Sequence, residues 1–421
     1  MRPVTPRGFR DVLFQEAAER GSLAASVRGV FSAWGYREVS TPVVEEAAAL
    51  EAGMGSLEGT AFRLLDLDGR LLALRPEMTV PIARLVASRL AEDSGPHRLA
   101  YVAEVFREHA SLRGQAREFT QAGVELVGAS GPAADAEVVA VLVEALAASG
   151  LPEFLVGVGT VAVLGALLEV SGAPDAWRAG VMAACHDRNL VELDRLVACA
   201  ELPPAVGDAI AGVPRVRGGR EAIAEARELA GACGCAASLD DLEETWALLE
   251  VSGAAERVTL DFGILRSFDY YTGLIVEAYA PGLGLPLGGG GRYDGVLAAF
   301  DRPAPAAGFA LGLERVHIAL AEQGHAPRTR GIDAVVAGES AAAFVAASEL
   351  RAGGWRVWLS PARDGREVVA EARRLDAEEA LLAEPDGTVA RLDRDGGPSL
   401  PLSRPFPAPP TLSWASKGGA G

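Results

Sequence analysis

The stretch Arg117-Glu-Phe-Thr-Gln-Ala-Gly-Val-Glu125 decides the fold of this chain. Within it, polar or small residues alternate with apolar ones, and side chains two positions apart on a β-strand share one face. One face would carry Phe119, Gln121, Gly123 and Glu125, and the other Ala122, Val124 and Leu126. Buried polar groups need partners, so this pattern on a central strand indicates a binding site. A polar sheet that faces solvent would give the same pattern.

The residues around this stretch predict further strands and helices. Apolar spacing predicts helices within residues 1–35 and over 78–90 and 133–149, and strands over 36–44, 98–106 and 117–127. Between residues 62 and 74, two apolar runs flank Asp68-Gly69, which predicts a hairpin with a type I′ turn.

The chain divides into several parts by pattern. From residue 161 to 251 the sequence is alanine-rich and helical, which predicts an insertion into a core domain made of residues 1–160 and 252–325. Strands resume at 258–265 and 273–279, and a further helix is predicted from Ala310. Residues 331–400 alternate as β-α-β-α-β, which predicts a small α/β domain. Residues 401–421, rich in Pro, Ser and Gly, are predicted to be a flexible tail.

The charge and cysteine content exclude several function classes. Lys417 is the only lysine, so phosphate binding by a P-loop lysine and Schiff-base chemistry on pyridoxal phosphate are both excluded. A formal net charge of −18 disfavours nucleic acid and anionic membranes as partners. Four cysteines in 421 residues are no disulfide framework, and we predict neither a metal nor a cofactor. Without an apolar N-terminal segment or a long apolar span, the protein is expected in the cytoplasm.

Three more clusters could carry chemistry. Glu77 and Thr79 stand just before a predicted helix, where they can accept hydrogen bonds from an ammonium group or cap the helix. The second cluster runs from Arg266 to Tyr271. The third comprises residues 288–295, with four consecutive glycines, and residues 308–315. A glycine run beside a strand lets a ligand approach the backbone, or it is simply a loop.

In this order, the clusters resemble the catalytic core of histidyl-tRNA synthetase, a class II aminoacyl-tRNA synthetase. The resemblance covers about residues 5–320 and includes the helical insertion. It implies an α+β fold with a class II synthetase-like antiparallel sheet flanked by helices, in a homodimer. The matching segments are residues 36–42 for motif 1, Phe106-Arg107 with Arg117-Glu118-Phe119 for motif 2, Arg266 to Tyr271 for the histidine-specific stretch, and Gly312-Leu313-Glu314-Arg315 for motif 3.

The resemblance also implies a binding site for L-histidine. Its ammonium group would contact Glu77, Thr79 and Gln121, and its carboxylate would lie near Arg107. Glu125 and Tyr271 would hold the two imidazole nitrogens, since both ring positions need a partner. The remaining implied site residues are Arg266, which assists amino-acid activation in the synthetases, Tyr270, and Tyr293, which would help to close the pocket.

Departures from the synthetase pattern indicate a different function. In the motif 2 loop, His109 and Gln115 replace an acidic residue and an arginine, and Ala110-Ser111-Leu112 replaces an Arg-Pro-Gln stretch. These changes remove nucleotide contacts. Met78 stands where synthetases usually have glycine. Residues 74–79 and 117–125 are instead very similar to the ATP phosphoribosyltransferase regulatory subunits (the HisZ family), which are catalytically retired paralogues of histidyl-tRNA synthetase.

That second resemblance implies a non-catalytic, allosteric subunit in histidine biosynthesis. It implies assembly with a short-form catalytic subunit into a hetero-octamer, a requirement for that subunit's activity, and transmission of histidine feedback. The alternative is an active histidyl-tRNA synthetase, because Arg107, Arg266 and Arg315 are retained. Residues 331–421 hold 13 acidic and 10 basic side chains, so we interpret residues 331–400 as a degraded anticodon-binding-like domain and expect no tRNA binding.

Overall fold

The structure is a computed structural model that describes residues 4–108, 116–264, 271–325 and 331–401. It divides into two compact units, Met1–Pro327 and Arg328–Gly421. The predicted site residues Arg266 and Tyr270, the motif 2 loop residues 109–115 and the predicted tail beyond residue 401 lie outside the described residues.

In its described residues, the first unit has eleven α-helices. They are α1 (Phe14–Ala33), α2 (Ala47–Met54), α3 (Thr79–Arg89), α4 (Pro132–Ala148), α5 (Ala162–Val170), α6 (Asp175–His186), α7 (Leu190–Ala198), α8 (Pro204–Gly212), α9 (Glu221–Gly231), α10 (Asp240–Ser252) and α11 (Leu313–Glu322).

Its strands are β1 (Arg37–Glu38), β2 (Val44–Glu46), β3 (Arg63–Leu65), β4 (Leu71–Leu74), β5 (His97–Phe106), β6 (Glu118–Val127), β7 (Leu155–Thr160), β8 (Arg217–Gly218), β9 (Val258–Asp261), β10 (Leu274–Tyr279), β11 (Gly288–Arg292) and β12 (Ala306–Gly312). Nine of them form one sheet in the order β1-β5-β6-β12-β11-β10-β7-β9-β8, and β2, β4 and β3 form a smaller one. The predicted antiparallel sheet flanked by helices is confirmed. Within the described part of this nine-stranded sheet, only the pairs β1 with β5 and β7 with β9 are parallel.

Strand β6 separates two apolar cores, as its alternation predicts. Ala122, Val124 and Leu126 pack into the larger core together with residues of α1 and α4. The opposite face turns toward a second core that contains Tyr101 of β5. Glu125 on that face is 1% exposed, so a polar sheet facing solvent is excluded.

The hairpin predicted over residues 62–74 is present, but its turn differs from the predicted one. The N–H of Gly69 donates to the carbonyl of Asp66 at 3.0 Å, and the N–H of Asp66 donates to the carbonyl of Arg70 at 2.9 Å. Gly69 has a φ of 82°, while Asp68 has no positive φ. A type I′ turn needs positive φ at both central residues, so the connection is a three-residue loop instead.

The glycine run forms strand β11 itself, so its interpretation as a loop is wrong. A β-carbon at Gly290 would lie 2.0 Å from the carbonyl oxygen of Gly308, and one at Gly288 would lie 2.2 Å from that of Ala310. Only residues without a side chain allow β11 and β12 to approach this closely. Periodicity could not reveal this strand, because glycine has no side chain to alternate.

The helix predicted from Ala310 begins later, at Leu313. Residues up to Gly312 complete β12 because they pair with β6, where Gly312 lies opposite Gln121 and Gly308 opposite Glu125. This pairing carries the strand past the predicted boundary and places two glycines of β12 beside the polar face of β6.

The region 161–251 holds helices α5 to α10, as the composition predicts, and also the two-residue strand β8, which pairs with β9 and was not predicted. Helix α10 packs on α4, so this region and the sheet belong to one compact unit. The division of the first unit into a core and an insertion therefore stays a prediction.

The second unit has a five-stranded sheet in the order β14-β13-β15-β16-β17. Its elements are β13 (Ala334–Gly338), α12 (Ser340–Ala352), β14 (Val357–Leu359), α13 (Gly365–Arg374), β15 (Glu379–Ala383), β16 (Val389–Leu392) and β17 (Pro398–Pro401). The first five follow the predicted β-α-β-α-β order with parallel strands. The two antiparallel strands that follow were not predicted. In either unit, none of the described helices is both long and apolar enough to cross a membrane.

We predict that Gly290→Ala destabilises the protein by about 3 kcal/mol, because the new methyl group overlaps the β12 backbone and the strands must separate. Chemical denaturation measures the change. Gly29→Ala is the control, since a β-carbon there meets nothing within 4 Å in helix α1. The control should gain up to about 1 kcal/mol. Equal stability of Gly290→Ala and the wild type would contradict the described packing of β11.

Candidate ligand-binding site

A cavity of about 460 Å³ lies in the first unit, beside strands β6, β10, β11 and β12. Six of the predicted site residues line it, namely Glu77, Thr79, Arg107, Gln121, Tyr271 and Tyr293. These residues come from segments separated by more than 200 positions in the chain, and the sheet brings them together. Glu125 is not part of the lining. It lies behind it, where its carboxylate contacts two lining residues.

Glu77 acts as a cap of helix α3 and also lines the cavity. Its carboxylate accepts hydrogen bonds from the N–H groups of Thr79 at 2.6 Å and Val80 at 2.9 Å. The capping interpretation is therefore correct for this residue, and the ligand-binding interpretation stays open beside it. Burial raises the pKa of Glu77 despite these bonds. A cation beside Glu77 would stabilise its charged form.

Glu125 is held by three hydroxyl groups. Thr79 Oγ1 donates to Oε1 at 2.9 Å, the Tyr293 hydroxyl donates to Oε2, and the Tyr101 hydroxyl lies 3.5 Å from Oε1. Burial, together with a smaller effect of the nearby Glu77, raises the pKa of Glu125 to about 8, although the hydrogen bonds from Tyr293, Thr79 and Tyr101 lower it. At neutral pH this carboxyl group therefore holds a proton readily.

Gln121 presents a buried acceptor to the cavity. The residue is 7% exposed, and its Oε1 has no hydrogen-bond partner among the described residues. A buried acceptor without a partner costs about 1–3 kcal/mol, and a ligand that donates a hydrogen bond there regains it. Gln121 is on the same face of β6 as Glu125, so both can act on one ligand.

Arg107 also lines the cavity, and two contacts hold it in place. Its Nε donates to the carbonyl of Pro76 at 3.0 Å, and its guanidinium lies 5.1 Å from the ring centre of Phe119. The hydrogen bond and the cation–π contact hold the group in one orientation. A fixed guanidinium group fits a carboxylate or phosphate.

Tyr271 and Tyr293 close the cavity next to the glycine strand. A β-carbon at Gly291 would lie 2.8 Å from Cδ1 of Tyr271, so glycine makes room for this ring. Tyr293 is 3% exposed and reaches Glu125 through its hydroxyl. Both rings line the cavity, and the Tyr293 hydroxyl connects its lining to Glu125.

The cavity has a second side that the sequence did not predict. Arg188, just after helix α6, donates from Nη2 to the Tyr279 hydroxyl at 3.0 Å and to Glu277 at 3.3 Å. His186 and Arg315 also line this side, and Arg315 donates to the carbonyl of Pro286 at 2.7 Å. Glu277 stands inside an otherwise apolar strand, and this pattern in the sequence could have indicated a site residue. The sequence gives no such indication for His186 and Arg188. They lie at or just after the end of helix α6, and no local pattern predicts that this end packs near the sheet.

No metal site is present within the described ranges, where no three His, Cys, Asp or Glu side chains come together to hold an ion. The four cysteines, including Cys233 and Cys235, are free thiols. Burial raises the pKa of the Cys185, Cys233 and Cys235 thiols, which makes them poor nucleophiles.

We predict that Glu125→Gln removes a pH dependence of stability. The folded-state pKa of about 8 exceeds the ordinary pKa of a glutamate, 4.5, so the folded form binds the proton more tightly. Stability is then fully present at low pH and is lost as the pH rises from about 4.5 to about 8. Denaturation at pH 5 and pH 8 should show the wild type losing about 2–4 kcal/mol more than Glu125→Gln. Parallel losses in both proteins would contradict the burial of this carboxyl group.

Comparison with known proteins agrees on one family. A family model described as histidyl-tRNA synthetase matches residues 8–316. A protein of Moorella thermoacetica named ATP phosphoribosyltransferase regulatory subunit is 44% identical over 370 residues, which is 87% of this chain and 95% of that protein. A protein of Symbiobacterium thermophilum with the same name is 42% identical over 406 residues, 95% of this chain and 98% of the relative.

Solved structures are similar over nearly the whole chain. A Bacillus halodurans structure described as an ATP phosphoribosyltransferase regulatory subunit/histidyl-tRNA synthetase has a TM-score of 0.80 at 32% identity, covering 91% of this chain and 98% of that one. Histidyl-tRNA synthetase from Nostoc sp. PCC 7120 has a TM-score of 0.79 at 20% identity, covering 96% and 97%, which shows the shared fold alone. The chain therefore belongs to the family of ATP phosphoribosyltransferase regulatory subunits, which has the class II histidyl-tRNA synthetase fold.

Proposed function

We propose that the chain is a non-catalytic regulatory subunit of ATP phosphoribosyltransferase and that its cavity binds L-histidine. Family membership supports the regulatory role. One observation above all supports histidine as the ligand. The buried Gln121 Oε1 has no partner among the described residues, and on the same face of β6 the buried carboxyl group of Glu125 is bound by hydroxyl groups.

Each part of histidine meets a matching group in this proposal. The ammonium group donates to Gln121 Oε1, to the Thr79 hydroxyl and to the remaining lone pairs of Glu77, which its two capping bonds leave available. The carboxylate lies near the fixed guanidinium of Arg107. The imidazole ring enters between Tyr271 and Tyr293 toward Glu125.

Glu125 must exchange a partner to bind the imidazole. In the unliganded pocket, Tyr293 and Thr79 donate to its oxygens. We propose that an imidazole nitrogen takes the place of one hydroxyl, while Tyr271 faces the other nitrogen. A carboxyl group with a pKa of about 8 can donate its proton to a ring nitrogen or, once ionised, accept one, so it suits a ligand that titrates near neutral pH.

The finer biological role follows from the family and is part of the proposal. The chain would act in the cytoplasm as a homodimer within a hetero-octamer, activate a short-form catalytic subunit, and transmit feedback by histidine in the first step of histidine biosynthesis. Feedback of this kind requires two states of the complex with different affinity for histidine. The acidic balance of residues 331–421 supports a chain that does not bind tRNA.

An active histidyl-tRNA synthetase is the second candidate. The observation that favours it is that Arg315, which has no role in the histidine proposal, lines the same cavity as Arg107. Changes in the motif 2 loop at His109 and Gln115 argue against it, because they remove groups that would contact the nucleotide.

We predict that Glu125→Ala weakens L-histidine binding by at least about 100-fold, because the imidazole loses its hydrogen-bonding carboxyl partner in a buried site. Isothermal titration calorimetry measures the affinity. Glu118→Ala is the matched control, since Glu118 is exposed on the same strand β6 and should leave the affinity unchanged. Unchanged affinity in Glu125→Ala would refute the assignment of Glu125 to the imidazole.

We predict that the purified chain stimulates a short-form catalytic subunit and makes that activity sensitive to histidine. The same preparation should show no histidine-dependent pyrophosphate exchange and no shift of tRNA in a gel. Phosphoribosyl transfer is assayed with the catalytic subunit alone and with the chain added. Robust exchange together with tRNA charging would overturn the regulatory proposal in favour of the synthetase.

A further inference from the structure

A buried ion pair joins helix α4 to the end of β11, close to the cavity. Arg292 and Asp135 are 7% and 6% exposed. Arg292 donates to Asp135 Oδ1 from Nε at 3.0 Å and from Nη2 at 2.6 Å. Its Nη1 donates to Asp294 Oδ1 at 3.1 Å. Taking two charges out of water costs free energy, so a buried ion pair contributes little net stability. A role in positioning its neighbours therefore explains this pair better than a role in stability.

The same arginine holds the segment that follows Tyr271. The N–H of Thr272 donates to the carbonyl of Arg292 at 2.8 Å, and the N–H of Asp294 donates to the Thr272 hydroxyl at 3.2 Å. Thr272 is thus bound to the backbone of both Arg292 and Asp294. Because Tyr271 is its immediate neighbour, the position of that ring depends on where Arg292 lies.

Tyr293 stands between the two charged residues of the same network. Its N–H donates to the carbonyl of Ala306 at 2.8 Å, and Asp294 Oδ1 accepts from the N–H of Ala306 at 2.9 Å. The backbone on each side of Tyr293 is therefore bound. Its side chain points the other way, toward Glu125, to which its hydroxyl donates.

We propose that Arg292, held by Asp135, is the positioning residue for ring recognition in the cavity. It sets the two tyrosines that flank the route to Glu125 and contacts no ligand itself. This inference rests on the proposed histidine site and deepens it, because it says which residues determine selectivity for an imidazole. Two of the three groups assigned to the ammonium, Gln121 on β6 and Glu77 before α3, have no bond to the network among the described residues. The third, Thr79, is connected to Tyr293 only through Glu125, to which both hydroxyls donate.

This separation makes the role measurable. Loss of the ion pair should weaken recognition of the ring while leaving the ammonium contacts in place. A merely structural role would weaken the binding of every amino acid in parallel. The informative quantity is therefore the ratio of the affinities for L-histidine and for 3-(2-thienyl)-L-alanine, a five-membered-ring analogue without ring nitrogens.

The test measures both affinities by calorimetry in the wild type, Asp135→Asn and Asp294→Asn. The wild type should prefer histidine by about 100-fold or more. Asp135→Asn should reduce this preference by about tenfold, with a smaller reduction in Asp294→Asn. Glu137→Gln is the matched control, since Glu137 is on the same helix and its carboxylate is bound to Arg98 at 2.7 Å and to the Tyr36 hydroxyl at 2.9 Å, not to Arg292. Its preference should equal that of the wild type.

The outcomes separate the two levels of the proposal. If the wild type does not bind histidine, both the histidine site and this inference fail. If it binds with selectivity and Asp135→Asn keeps the ratio, or loses both affinities in parallel, only the inference fails. Should Asp135→Asn not fold, Asp294→Asn decides alone. Asp294 is 41% exposed at its side chain and keeps an acceptor oxygen as asparagine, so this variant is expected to fold.

Discussion

The buried carboxyl group of Glu125 is the constraint on which the rest of the first unit depends. A carboxyl group at 1% exposure needs hydrogen-bond donors, because desolvation of an unpartnered one is too costly. Hydroxyl groups from α3, β5 and the end of β11 provide them. The neighbouring strand must also leave room, and a β-carbon at Gly308 would lie 2.0 Å from Glu125 Oε2. The glycine at position 308 of β12 thus follows from one buried acid on β6.

This arrangement also explains why the cavity suits a small cationic, hydrogen-bonding ligand. Hydrogen-bond acceptors from separate elements line the cavity, and so do arginine side chains. Tyrosines and glycines form the wall in front of Glu125, so the acid is reached only when a ring displaces a hydroxyl. A site with this geometry can discriminate between ligands by the ring they carry, and such discrimination is what a histidine sensor requires.

The sequence predicted what side-chain alternation and helical spacing reveal, and missed what they cannot. Strand β6 and its two faces follow from alternation, and the order of clusters indicated the fold. Strand β11 escaped prediction because four glycines carry no pattern. The start of α11 was placed too early because pairing with β6, a long-range contact, extends β12 to Gly312. Arg188 and His186 were missed for the same reason, since only the tertiary fold returns the end of α6 to the sheet. The position of Glu125 behind the lining also depends on packing, although the residue itself was predicted.

A crystal structure of the chain with L-histidine tests the central claim most directly. The account predicts the ammonium nitrogen about 3 Å from Gln121 Oε1 and an imidazole nitrogen at the same distance from a Glu125 carboxylate oxygen, with the Tyr293 hydroxyl displaced. Histidine bound with its ring directed away from Glu125, or outside the cavity, would contradict it.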